Sequence, residues 1–239
     1  MIGALDGVAF RQEQPLAADV QCVADNYSWK GFNESNTQAV CDADYKLRWM
    51  SCMSLGACHD STAFSSTRLG QILLDSTLEP TAALINAGHC LVADKACAES
   101  EVLAVPWPGS GRGDQWKDSY NFYQSSSSIH IEQAFGMLSW RCGVFWRPLR
   151  VSFAKRPSLV RACLRLHNFC RGHATARDCV VLPLGNDSAG CDASCAPTDT
   201  VGPNQRGRRR DCERSNLRVR MTRRVDDSGL LRSGVGSMF

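Results

Sequence analysis

The sequence predicts an α/β fold, because short apolar runs typical of strands alternate along the chain with segments of helical spacing. The chain has 239 residues with 44% hydrophobic content, which suffices for one sizeable domain with a buried core. Beyond residue 173 the apolar spacing fades and Gly, Ser, Asp, Pro and Arg dominate. We therefore expect a folded domain over residues 1–173 and a disordered, Arg-rich tail over residues 174–239.

The strands are predicted from short apolar or β-branched runs bounded by turn residues. They cover residues 2–10, 37–41, 45–55, 90–93 and 102–106. The first mixes small and apolar residues around Asp6, as in a buried strand. The second and third flank Asp42-Ala43-Asp44, whose aspartates can bond their own backbone, so this part of the chain predicts a hairpin.

The helices are predicted from apolar residues that recur every three or four positions. They cover residues 60–74, 81–87, a segment that begins after Ser128, and 158–171. Residues 106–128 are rich in Gly, Ser and Asp, which predicts a surface loop before the third helix. In that helix Glu132 lies beside Ile131 at the margin of the apolar face, so its carboxylate can face the sheet.

Four acidic residues lie in short sequence motifs that suit a phosphoryl-transfer site: Asp6, Asp60, Asp94 and Glu132. Three of them lie within or directly after apolar runs, where a charge is costly unless it is paired or metal-bound. We therefore expect a buried acidic cluster at one edge of the sheet. Mg²⁺ prefers carboxylate oxygens, and two such ions can activate an attacking oxygen and stabilise a leaving one. The hypothesis is a two-metal site for Mg²⁺, with Mn²⁺ as the alternative ion; each acid alone could equally be a strand-end or cap residue.

Positive charge is concentrated in the tail, where residues 206–224 contain nine arginines and only two acidic residues. This run, which includes Arg208, Arg209 and Arg210, can contact DNA phosphates or serve as a nuclear import signal. A solvated tail without a role is the alternative. Lys30, with aromatic residues on either side, is a further candidate for DNA contact, and surface packing explains it equally well.

The distribution of cysteines and the hydropathy of the chain predict where in the cell the protein is located. Thirteen cysteines, an odd number, are scattered singly through predicted strands and helices, which is typical of reduced thiols in the nucleus or cytosol. No run approaches the roughly 20 apolar residues needed to span a bilayer, and no signal peptide is evident. We expect a soluble nuclear protein, with the cytoplasm as the alternative and no membrane partner.

A series of short motifs, in the order and approximate spacing of a known family, gives the chain a resemblance to that family over about residues 3–172. The motifs are Gly3-Ala4-Leu5-Asp6-Gly7, Trp29-Lys30-Gly31-Phe32, Asn36-Thr37-Gln38-Ala39-Val40-Cys41-Asp42-Ala43, His59-Asp60-Ser61-Thr62-Ala63-Phe64, Leu91-Val92-Ala93-Asp94, Tyr120-Asn121, Ile131-Glu132-Gln133-Ala134-Phe135-Gly136-Met137-Leu138 and Ala162-Cys163-Leu164-Arg165-Leu166-His167-Asn168-Phe169-Cys170. At these residues the chain resembles the PIF/Harbinger group of DDE transposases and the Harbinger transposase-derived nucleases.

The resemblance implies an RNase H-like fold, with a mixed central sheet flanked by helices, and divalent-metal-dependent cleavage and joining of DNA. It aligns Asp6, Asp60, Asp94 and Glu132 with the metal-binding acids of the family. DNA is the implied partner. A separate DNA-binding accessory protein, which the family often requires, and a homo-oligomer remain open.

The sequence also departs from the family pattern. Ala93 stands where the family usually has Gly before the third aspartate, and the basic residues usual after Glu132 are reduced to Arg141. The helical DNA-binding region that normally precedes the first acidic strand is not in the given chain. We therefore expect a catalytic-domain fragment, a domesticated derivative or an incomplete gene model, and the alternative function is an inactive DNA- or protein-binding module.

Overall fold

The computed structural model describes residues 2–75, 85, 89–111, 114–172 and 216–228. The strands are β1 (Gly3–Arg11), β2 (Glu34–Cys41), β3 (Leu47–Leu55), β4 (Leu91–Ala93) and β5 (Leu103–Ala104). The helices are α1 (Asp60–Ser65), α2 (Arg68–Leu74), α3 (Gln115–Arg141), α4 (Arg156–Gly172) and α5 (Asn216–Asp227). Single turns of 3₁₀ helix lie at Ala24–Asn26, Pro108–Gly111, Gly143–Trp146 and Phe153–Lys155.

The strands form one mixed sheet in the order β3-β2-β1-β4-β5. The first three strands are antiparallel, and β4 and β5 run parallel to β1. Helices cover both faces of this sheet. The predicted α/β class is therefore confirmed, and the topology is consistent with an RNase H-like fold.

The hairpin between β2 and β3 forms as predicted, because Asp42 organises its turn. One carboxylate oxygen of Asp42 accepts the backbone N–H groups of Asp44 and Lys46, each at 2.9 Å. The other oxygen pairs with the Arg48 guanidinium at 2.6 Å. Tyr45 takes a φ of 61°, a left-handed conformation that these hydrogen bonds and the packing of the turn hold in place.

The sheet separates two hydrophobic clusters, as the alternation of side chains along β1 requires. Ala4 and Phe10 face the cluster beneath α3 and α4, to which α3 contributes Ile131 and Leu138, both fully buried. Leu5 faces the hydrophobic cluster on the opposite side of the sheet, to which α1 and α2 contribute the apolar side chains Phe64, Leu69 and Leu73. The long helix α3 is thus fixed across the strand that carries Asp6.

The predicted loop over residues 106–128 is partly wrong, because α3 already begins at Gln115. Asp114 caps it by accepting the backbone N–H groups of Trp116 and Lys117. The serines that suggested a loop lie within the helix, where Ser126 and Ser127 donate their hydroxyls to carbonyls four residues earlier. The predicted helix over residues 60–74 is also interrupted, because Thr67 accepts the Gly70 N–H and starts α2.

The prediction of disorder beyond residue 173 does not hold for Asn216–Asp227, which forms α5 and packs on α3. Its Leu217 is buried in the cluster on the α3 side. The predicted tail arginines 208–210 and the predicted helix over residues 81–87 lie outside the described residues, apart from residue 85. In the described part of the chain, no helix is long and apolar enough to cross a membrane.

Candidate active site

The pairing of β1 with β4 brings Asp6 and Asp94 to neighbouring positions. The two strands are parallel with Leu5 opposite Ala93, and each aspartate is the next residue on its strand. Adjacent strands in a sheet lie about 4.8 Å apart. Because β4 ends at Ala93, Asp94 lies at the carboxyl end of its strand, where an open crevice forms in α/β sheets.

Glu132 approaches the same place from α3. It follows Ile131, which is fully buried on the sheet, and is itself exposed. Asp6 lies between Ala4 and Val8 along β1, and both of these pack in the cluster beneath α3. Strand alternation therefore directs Asp6 toward the helix that carries Glu132.

Asp60 reaches the site from the start of α1. A Cβ atom added to Gly7 would clash with its carboxylate, so Asp60 lies directly against the residue that follows Asp6. One Asp60 oxygen accepts the Asn36 side-chain amide at 2.7 Å and the Gln38 amide at 3.0 Å. These β2 side chains fix Asp60 on the α1 side of β1, whereas Asp6 faces α3.

The four acids interact electrostatically around Asp6. Burial and, to a smaller extent, the charges of Asp60, Glu132 and Asp94 together raise the pKa of Asp6 to about 6, against the opposing effect of a 2.8 Å hydrogen bond from the Gly7 backbone N–H. Burial, together with the charges of Asp94, Asp60 and Asp6, raises the pKa of the nearby Cys97 thiol to about 12. The structure thus brings all four predicted acids into one negative field.

The expectation of a buried cluster is wrong in its burial. Asp60, Asp94 and Glu132 are exposed, and only Asp6 is half-buried. Asp94 and Glu132 each follow a buried residue, Ala93 and Ile131, but stand one position beyond it, and Asp60 is the first residue of α1, after the exposed His59. An exposed cluster of this kind is open to a large substrate such as a polynucleotide.

The donor set suits a hard divalent cation, because all four side chains offer carboxylate oxygens. A cation would also relieve the repulsion that raises the pKa of Asp6. Over the described ranges, however, no three His, Cys, Asp or Glu side chains are grouped closely enough to hold one ion. A shared metal site therefore requires side-chain rotations, which the exposure of three of the four acids permits.

Sequence reasoning missed three amides that position the site. On α3, buried Gln124 donates to the Ala93 carbonyl at 2.7 Å, directly before Asp94. On β2, Asn36 and Gln38 are buried and hold Asp60, as described above. For Asn36 and Gln38 the available signal was a pair of amide side chains two apart, and therefore on one face of β2, because a buried amide needs partners.

Lys30 does not join the four acids. It lies in the loop before β2, 3.7 Å from the Glu34 carboxylate and 5.8 Å from the centre of the Trp29 ring. Arg208, Arg209 and Arg210 lie outside the described residues.

The comparison with protein families is consistent with this geometry. Residues 5–168 match the family model of the DDE superfamily endonucleases, which spans more than half of the chain and all four acids. No curated protein and no solved structure shows significant similarity to the chain.

Proposed function

Since the chain belongs to the DDE superfamily endonucleases, we propose that it cleaves DNA phosphodiester bonds with divalent metal ions held by Asp6, Asp60, Asp94 and Glu132. The family supports a transposase-type nuclease function. We propose Mg²⁺ as the ion, with Mn²⁺ as a substitute. The reaction is hydrolysis when water attacks, or strand transfer when a 3′-hydroxyl attacks.

One observation carries this proposal, namely the placement of Asp6 and Asp94 at equivalent positions of two paired parallel strands. Asp6 and Asp94 each follow a residue of the Leu5–Ala93 pair, and the charges of Asp94 and Glu132 both act on Asp6, which supports a shared site near the carboxyl end of β4. Burial, with repulsion from Asp60, Glu132 and Asp94, raises the pKa of Asp6, and a strongly shifted acid beside other acids supports a functional site.

The side chains have distinct roles in the proposed reaction. Asp6, Asp94 and Glu132 are the metal ligands on the α3 side of β1, and bound divalent ions would supply charge neutralisation and an activated oxygen nucleophile. Asp60 approaches from the α1 side as the fourth ligand. Asn36 and Gln38 orient Asp60, and Gln124 orients the backbone before Asp94. The exposed carboxylates leave room for the scissile phosphate.

The family subgroup, the localisation and the protein partners are proposed from the sequence. We propose membership of the PIF/Harbinger subgroup from the motifs given above. The Arg-rich segment favours contacts with DNA phosphates and nuclear localisation. A separate DNA-binding accessory protein and a homo-oligomer are proposed partners on the same resemblance.

The test is divalent-dependent nicking of supercoiled plasmid DNA. We expect nicked product with Mg²⁺ or Mn²⁺ and none in EDTA. Because a bound metal ion contributes several kcal/mol of transition-state charge stabilisation and each substitution removes one of its proposed ligands, Asp6→Asn, Asp94→Asn and Glu132→Gln should each slow nicking by more than about 100-fold. Asp44→Asn, in the exposed hairpin turn, is the matched control and should nick at the wild-type rate. A folded protein that nicks no DNA at any divalent concentration contradicts the proposal.

The second candidate is a non-catalytic DNA-binding module. It is favoured by the absence, within the described ranges, of three acids grouped in a ligand arrangement. It predicts DNA binding that is unaffected by divalent ions and by Asp6→Asn. Metal-dependent nicking excludes it.

A further inference from the structure

A cleft of about 530 Å³ opens at Gly7, the residue after Asp6, and runs along β1. It begins at Gly7, which bonds the Asp6 carboxylate and lies against Asp60, and it extends to Arg11. At about 3.3 Å per residue, this stretch of strand spans about 13 Å. We call it the edge cleft.

The edge cleft exists because β4 is short. β4 pairs with β1 only as far as Leu5, so within the described residues no strand covers that side of β1 from Asp6 to Arg11. The isolated bridge between Gln12 and Leu149 closes the far end. The open edge is thus continuous with the site of the four acids.

An indole platform forms one wall of the cleft. Trp146 lines it and is 67% exposed, although a large aromatic side chain gains by burial. Its ring nitrogen donates to the Ser139 carbonyl at 2.8 Å, and the ring lies 3.8 Å from the position of a Cβ on Gly143. The ring is therefore held in one orientation with much of its surface free for a flat partner.

Aromatic rings also stiffen the floor and the opposite wall. Phe145 stacks on Phe10 with ring centres 4.3 Å apart, which anchors the turn that carries Trp146 to β1. Across the cleft, Phe32 lies 4.2 Å beneath the guanidinium of Arg11. A platform built in this way loses little conformational entropy when a ligand stacks on it.

The charge of the edge cleft complements a polynucleotide. Among the described residues, its lining includes the cations Arg11 and Lys30 and no carboxylate, although Gly7 at its end contacts Asp6 and Asp60. Arg11 is exposed and, in the described part of the chain, forms no ion pair within 4 Å. Cations that track a backbone beside aromatic platforms are the features by which proteins bind single-stranded DNA.

We propose that the edge cleft binds an unpaired DNA segment adjoining the scissile phosphate, with a base stacked on Trp146 and phosphates contacting Arg11 and Lys30. This inference rests on the proposed function for the identity of the substrate as DNA. A duplex keeps its bases paired and stacked inside the helix, so it cannot present a base face to the indole. The substrate class is therefore DNA with a frayed or single-stranded segment at the cleavage position.

The test measures DNA binding without cleavage, by fluorescence anisotropy of a labelled single-stranded oligothymidylate in EDTA. Because base stacking contributes about 1–3 kcal/mol and 1.4 kcal/mol corresponds to tenfold, Trp146→Ala should weaken binding by about tenfold or more. Trp146→Phe should retain most of the affinity. Trp140→Ala is the matched control, since Trp140 is 78% exposed but does not line the cleft, and it should bind as the wild type does.

A second variant tests the phosphate contact. Since each phosphate contact adds about 0.7 to the slope of log affinity against log salt for single strands, Arg11→Gln should reduce that slope by about 0.7. Thermal unfolding confirms that each variant is folded.

The proposal is overturned if wild-type protein does not bind the single strand, if it prefers the duplex of the same length, or if Trp146→Ala and Trp140→Ala bind equally well. Because cleavage plays no part in the binding experiment, a protein that fails to nick plasmid can still bind through the edge cleft. The two failures are therefore distinguishable.

Discussion

Asp6 shows at the level of one residue how the fold prepares a cation site. Its carboxyl is half-buried, and its pKa is raised to about 6 because burial and three acidic neighbours disfavour the charged form. A group whose folded pKa exceeds its unfolded value destabilises the folded state as pH rises through the interval between them. The metal-free protein should therefore lose stability between about pH 4 and pH 6 on account of Asp6.

Asp6→Asn should consequently stabilise the metal-free protein at pH 7 by up to about 2 kcal/mol, because the amide removes the charge and can still accept the Gly7 N–H. At pH 3.5 both side chains are uncharged, so the difference should disappear. Urea unfolding in EDTA at the two pH values measures the free energies of unfolding.

Asp42→Asn provides the contrasting control. Asp42 pairs with Arg48 and holds its turn, so its replacement should lower the free energy of unfolding and leave the nicking rate unchanged. Equal destabilisation by Asp6→Asn and Asp42→Asn at pH 7 would contradict the reasoning on Asp6.

Gln124 should matter through Asp94. In Gln124→Leu the buried Ala93 carbonyl loses its donor, at a cost of about 1–3 kcal/mol in unfolding free energy. The backbone before Asp94 is then less fixed, so the Mg²⁺ concentration for half-maximal nicking should rise, a change that a purely structural amide would not produce. Gln71→Leu, on the exposed face of α2, is the control and should leave the metal requirement unchanged. An unaltered metal requirement in Gln124→Leu would contradict the positioning role.

At the level of elements, α5 packs on the domain through polar contacts that include an ion pair and through apolar contacts. Arg218 pairs with the Glu99 carboxylate at 3.0 Å, with the two side chains 18% and 8% exposed, and its guanidinium lies 5.3 Å from the centre of the Trp107 ring. Leu217 adds buried apolar area. Most of the stability of so short a helix comes from such packing.

Glu99→Gln should therefore release α5 without unfolding the sheet, because it leaves the Arg218 charge poorly compensated at a mostly buried position. Amide hydrogen exchange should accelerate in Asn216–Asp227 and remain slow in β1 and α3. Glu101→Gln, at an exposed position, should change neither. Unchanged exchange in α5 after Glu99→Gln would show that the ion pair does not hold the helix.

Strands and helices were predictable where the spacing of apolar residues along the sequence was regular. β1, the β2–β3 hairpin and α4 follow from periodicity and turn chemistry, and the structure confirms them within a few residues. The first half of α3 was missed because its serines favour loops as single residues. Tyr120 donates to the Val105 carbonyl, directly after β5, and Gln124 donates to the Ala93 carbonyl of β4, and these buried contacts favour the helical conformation of those turns. Such contacts are tertiary, so local sequence does not contain them.

For the whole molecule, the sequence offered the four acids as candidates, because each stands in a motif of the family and borders a predicted element, and their role as metal ligands stays a prediction. The sequence could not predict that Asp6 of β1 faces α3 whereas Asp60 contacts β1 on the opposite face of the sheet, since that depends on the packing of α1. Nor could it predict the edge cleft, which depends on where β4 stops pairing. Both features arise from the arrangement of elements around the open edge of β1.

The most direct test of the central claim is a calorimetric titration of the metal-free protein with Mn²⁺. If the four acids share metal ions, the wild type should bind Mn²⁺ saturably, and Asp6→Asn, Asp94→Asn and Glu132→Gln should each abolish or greatly weaken binding, whereas Asp44→Asn should bind as the wild type does. A folded wild-type protein that takes up no Mn²⁺, or one whose binding survives all three substitutions, would contradict the account.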